Sequence, residues 1–106
     1  MPTYRVLAQS APSATTATTL YTATNATIVS TLNAANVGGT QDTIRIAVRP
    51  AGASLAAQHY IAYGVPLAAG AVFSIQGGLT LANTDVITVY STTGNTSFSA
   101  FGSEGN

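Results

Sequence analysis

The sequence has no cysteine, no lysine and no tryptophan, and a single histidine. Without thiols, disulfide staples and thiolate metal sites are excluded. Charge is just as scarce. Arg5, Arg45 and Arg49 stand against Asp42, Asp85 and Glu104, which is 6% of the chain and a formal net charge of zero. An ordinary soluble domain carries about 25% charged residues. Nucleic-acid binding needs a basic stripe to neutralise phosphates. Three scattered arginines do not make one, so no nucleic-acid partner is expected. The same shortage argues against an anionic membrane surface. A net charge of zero favours association, so this surface suits a chain largely covered by its neighbours. No apolar run reaches the roughly 18 residues of a membrane span. The start, Met1 to Val6, lacks a basic head followed by an apolar block. The expectation is a chain made in a cytoplasm and used without processing.

What is present is threonine, alanine, serine, valine and isoleucine, with apolar residues at every second position. That period marks strands. It predicts strands over 4–9, 18–23, 26–36, 43–49, 58–63, 71–76, 85–91 and 96–103, with a short piece at 79–81. Turns are expected at Thr24-Asn25, Gly38-Gly39, Pro50-Ala51-Gly52, Gly77-Gly78, Asn83-Thr84-Asp85 and Gly94-Asn95. The last reads as a tight hairpin. A single helical turn fits between Ala51 and Ala57. About eight short strands in 106 residues predict one all-β domain, an antiparallel β-sandwich of immunoglobulin-like or jelly-roll type. Its expected core is Leu7, Ile28, Leu32, Ile44, Ile46, Val48, Ile61, Phe73, Ile75, Val89 and Phe98. A slip of one residue would exchange the two faces of any strand. The small, polar segment Ser10 to Thr19, which contains Pro12, reads as a long connection or an extended arm.

The inventory for chemistry is short. His59 with Asp42 or Asp85 and one of many serines could be drawn as a triad, but such a match means nothing without geometry. One histidine and no cysteine fall short of a zinc site. Asn83-Thr84-Asp85 is at most half a calcium loop; a turn whose Asp accepts backbone N–H groups is the simpler reading. No catalytic residue, metal or cofactor is expected.

The remaining candidates are contact residues. His59, Ile61 and Tyr63 share a strand face. His59 reads either as a pH-sensitive interface group or as a strand-end histidine bonded to a loop carbonyl. Arg45 and Arg49 share a face about 13 Å apart. They either reach a neighbouring subunit, where arginine is enriched, or pair locally with Asp42 or Glu104. Tyr4, Tyr21, Tyr60, Tyr63 and Tyr90 could form a sugar-binding platform, but are more simply read as half-buried strand residues. Asn25-Ala26-Thr27 and Asn95-Thr96-Ser97 match the glycosylation sequon and read as turns. Arg45, Arg49, His59, Tyr60, Tyr63 and Pro12 are therefore the candidate interface residues.

Several segments together resemble a known family. They are Tyr4 to Ser10, Ile28 to Leu32 with Asn36, Ile44 to Gly52, Gln58 to Tyr63, Asp85 to Tyr90, and Phe101 to Glu104. The chain resembles small virion structural proteins of tailed bacteriophages, including phages of cyanobacteria. Arg-Ile-Ala-Val-Arg-Pro and Gln-His-Tyr-Ile-Ala-Tyr are the most specific parts. The resemblance implies a virion protein assembled in the bacterial cytoplasm, with the major capsid protein or other virion proteins as partners. A capsid decoration or cement protein is the expectation, acting as a symmetric homo-oligomer, with a trimer among the options. A tail, baseplate or fibre component, or a host-adhesion module, are the alternatives. The resemblance carries no catalytic residue.

Overall fold

A computed structural model describes residues 3–76 and 78–105. Nine strands among the described residues form two antiparallel sheets. In chain order they are β1 (Thr3–Ser10), β2 (Thr18–Thr22), β3 (Thr27–Asn36), β4 (Asp42–Arg49), β5 (Tyr60–Leu67), β6 (Val72–Ile75), β7 (Leu79–Leu81), β8 (Val86–Ser91) and β9 (Thr96–Glu104). Two short 3-10 turns, Pro50–Gly52 and Ala57–His59, lie between β4 and β5. The expected turn at Gly77-Gly78 includes Gly77, which lies outside the described residues.

One sheet runs β1-β9-β3-β6, with β7 also paired to β3; the other runs β2-β8-β4-β5. Treating β6 and β7 as one broken strand gives eight strands whose first four and last four interleave across the two sheets. This is the strand order of a jelly roll. It corrects the hairpin expected at Gly94-Asn95. β8 and β9 belong to opposite sheets, so Thr92 to Asn95 is a crossover between layers. Turn residues mark a reversal, but not whether the returning strand pairs or changes sheet.

The two inner faces bury Leu7, Val29, Leu32, Ile44, Ile46, Leu81, Ile87, Val89 and Phe98. Ile28, expected inside, is 52% exposed. The cause is a bulge between Val29 and Thr31 in the pairing of β3 with β9. The extra residue, Ser30, shifts the alternation by one, so Leu32 faces the core together with Val29 and not with Ile28. Ile61 is likewise 44% exposed, because β5 bulges against β4 on either side of Ala62. Gly64 is the unpaired residue of the second bulge and has φ +68°, a conformation that glycine adopts without strain. Val48, Phe73 and Ile75 pack on the core from partly buried positions.

The expected arm is largely a loop folded back on one end of the sandwich. Thr15 N–H donates to the Ser91 carbonyl (2.8 Å), and Pro12 is buried.

Candidate functional site

Cross-strand register builds a row on the outer face of the β2-β8-β4-β5 sheet. Arg45 pairs with Tyr90 of β8 on one side and Tyr63 of β5 on the other. Its guanidinium carbon lies 4.3 Å from the Tyr90 ring centre and 4.5 Å from that of Tyr63. Stacking between two aromatic faces is favourable for arginine and fixes the orientation of the plane. Tyr60 packs edge-on against Tyr63, with centroids 4.8 Å apart and planes at 78°. The buried Nε of Arg45 has no acceptor among the described residues. Beside the row, Leu55, Ala56, Ala57, Tyr60 and Tyr63 line an open recess of about 560 Å³.

Arg49 shares this face but does a different job. Its Nε donates to Thr88 Oγ1 (3.0 Å) and its Nη1 to the Ala53 carbonyl (3.0 Å), tying the β4–β5 connection to the sheet. Neither Arg45 nor Arg49 takes Asp42 or Glu104 as its local partner; Arg5 pairs with Glu104 instead.

His59 and Pro12, candidate contacts by sequence, are both buried, so neither is presented at the surface. His59 Nδ1 accepts from the Ala56 N–H (3.1 Å); its loop partner is thus a donor, where a carbonyl is expected from sequence. The pairings Asp42–Leu67 and Ala47–Tyr60 put Asp42 and His59 at opposite ends of the sheet, about 17 Å apart along the strand. A triad is therefore not assembled through Asp42. Asp85 accepts from the Ala51 and Ala82 N–H groups (2.9 Å each). This is the capped-turn geometry, and the two N–H donors hold its carboxyl below the usual range.

Two polar clusters have no counterpart in the sequence reading. At one end of the sandwich the buried Asp42 accepts from the hydroxyls of Ser91 and Thr96, from the Thr93 N–H (3.0 Å) and from the Thr43 N–H (2.7 Å). At the other end Glu104 accepts from Arg5 Nε (2.7 Å) and from the Tyr21 hydroxyl (2.6 Å). Tyr21 belongs to one sheet and Glu104 to the other, so this contact latches the layers together. Tyr21→Phe is expected to cost about 1.5–3 kcal/mol, the worth of one hydrogen bond to a charged acceptor. Urea denaturation should show a lowered midpoint with an unchanged slope.

The outer face of the β1-β9-β3-β6 sheet is different again. Val6 (46% exposed) and Ile28 lie beside the half-buried Phe101, among serines and threonines. Ile28, Leu81, Phe101 and Gly102 help to line a shallow groove of about 780 Å³ with Arg5 at its rim. The Tyr4 side chain lies outside the described residues. No helix among the described residues is long and apolar enough to cross a membrane. Comparison with protein families, curated proteins and solved structures gives no match to this chain.

Proposed function

We propose that the chain is a structural protein of a tailed-phage virion, a decoration or cement protein that binds the outside of the capsid and bridges shell subunits. The resemblance noted from sequence motivates this reading. A jelly roll alone does not decide it, since the fold also serves lectins and cupins. The observation that carries it is the outer face of the β1-β9-β3-β6 sheet. Val6, Ile28 and Val72 are exposed there, and the one arginine at the groove is already paired with Glu104. Such a face favours association over dispersal. Its role is passive: it buries apolar and hydroxyl-rich surface against neighbours, and many weak contacts add by multivalency.

The tyrosines speak against the sugar-binding alternative. Tyr60 and Tyr63 meet at right angles, and Arg45 fills the space between Tyr63 and Tyr90. No two of these rings offer one flat platform.

Ile28→Glu tests the reading. It adds an unpaired carboxylate to the apolar face without touching the core. Binding to particles lacking the chain should weaken about tenfold or more, with an unchanged circular dichroism spectrum. Binding equal to the natural chain would remove this face from the interface.

A further inference from the structure

We infer that the Tyr90–Arg45–Tyr63 row is a docking point for a side-chain carboxylate of a different protein, and is not a contact between copies of this chain. This deepens the reading of the chain as a subunit of a larger particle and rests on it. Arg45 presents a planar fork of donors suited to a carboxylate. Two rings hold that fork still, and its buried Nε lacks an acceptor among the described residues. Because that Nε is shielded from solvent, an incoming carboxylate meets the terminal Nη edge of the fork, whose charge no carboxylate among the described residues pairs with.

The chain's own carboxylates are spent elsewhere. Asp42 is buried among four donors. Asp85 holds the Ala51 and Ala82 N–H groups. Glu104 holds Arg5 and Tyr21. Every side-chain carboxylate of a second copy is thus already engaged, which favours another protein as the source of the complementary charge.

The surroundings select a protein over an acidic sugar. A sugar site needs several hydrogen-bonding groups placed around the ring. The adjacent recess is lined by Leu55, Ala56, Ala57, Tyr60 and Tyr63, whose only side-chain polar groups are two tyrosine hydroxyls. Tyr63 is 62% exposed and Leu55 37%. Arginine and tyrosine beside apolar side chains are the composition of a protein–protein hot spot. The matching segment carries Asp or Glu next to an apolar side chain that enters the recess.

The test follows the Arg45 Nε–Hε resonance of the whole labelled chain during titration. The probes are acetyl-Leu-Glu-amide, acetyl-Leu-Gln-amide and digalacturonate. The glutamate peptide should give a saturable shift and bind at least about tenfold more tightly than the glutamine peptide. Read on the backbone amides of Tyr63 and Tyr90, which flank Arg45, binding should be abolished in Arg45→Gln and weakened in Arg45→Lys, with both variants retaining the natural circular dichroism spectrum. Equal responses to both peptides would overturn the proposal. Tighter binding of digalacturonate would overturn the choice of a protein partner. A self-association lost in Arg45→Gln by sedimentation would overturn the claim that the partner is a different protein. Carboxylate binding by a chain that never enters particles would defeat the virion reading and leave this site standing. A chain found in particles that ignores every probe would do the reverse.

Discussion

Asp42→Ala should destabilise the fold by about 3–5 kcal/mol, a large share of the roughly 5–15 kcal/mol available to a domain. The carboxylate is 1% exposed. It gathers the hydroxyls of Ser91 and Thr96 and the N–H groups of Thr93 and Thr43. Thr43 is its neighbour on β4, but Ser91, Thr93 and Thr96 come from β8, the crossover after it and β9, so one side chain ties β4 to the point where the chain changes sheets. Removing it leaves several donors unsatisfied, and that costs more than the bonds themselves contribute. The melting temperature should fall by about 15 °C or more. Asp42→Asn keeps the shape but turns an NH2 towards donors, and should lose about 2–3 kcal/mol.

The same residue gives the fold a pH dependence. Burial pushes the Asp42 carboxyl up, but the Ser91 and Thr96 hydroxyls and the two backbone N–H groups outweigh it and take it from 3.8 to about 2. A lowered folded value means that the unfolded chain binds the proton first. Stability is therefore fully present above pH 3.8 and is lost as pH falls towards 2, by about 2 kcal/mol. The Glu104 carboxyl adds to this with the same sign. The Tyr21 hydroxyl lowers it, burial opposes, and Arg5 lowers it further. Urea midpoints measured from pH 5 down to pH 2 should fall for the natural chain. They should fall less for Asp42→Ala, which has already lost that contribution. Parallel curves would refute the linkage.

Gly102→Ala should be far more damaging than the addition of one methyl group ordinarily is. Gly102 lies on β9 opposite Val29, beside the β3 bulge. A Cβ there would overlap the Ile28 carbonyl oxygen and come within 2.9 Å of Val29 Cα. Both are backbone atoms in the middle of a ladder, so neither yields as a side-chain tip would. The strands must separate locally, at an expected cost of about 3 kcal/mol. Gly39→Ala meets nothing within 4 Å and should change stability by less than about 0.5 kcal/mol. Thermal unfolding of the two variants side by side separates a close backbone approach from a generic effect of replacing glycine. Equal melting temperatures would show that β3 and β9 have room to spare at the bulge.

Period-two alternation makes most strands legible, several to within a residue or two, because Thr, Val and Ile alternate with little interruption. What alternation does not encode is a bulge. Ile28 and Leu32 look like face-mates until Ser30 is known to be extra, and Ile61 departs from its expected face for the same reason. β5 also runs on to Leu67, past the 63 expected, because Gly64 is absorbed as a bulge where it resembles a stop. Arg45 and Arg49 are readable as face-mates, since four residues of one strand separate them. Their neighbours are not. Tyr63 and Tyr90 reach Arg45 only through the register of three strands, two of them joined by long connections. The Asp42 cluster is hidden for the same reason, with Ser91, Thr93 and Thr96 lying 49 to 54 residues away in sequence. Pro12 and His59 depart from expectation because proline and histidine are ordinarily surface residues, and in this fold loop packing covers both.

The proposed role of this charge-poor jelly roll as a virion coat component is tested most directly by a density map of intact particles from the source that encodes it. The expected result is many symmetry-related copies on the shell exterior, with the Val6–Ile28–Phe101 face covered by a neighbour. Particles that lack the chain, or copies whose two sheet faces both look onto open solvent, would contradict it.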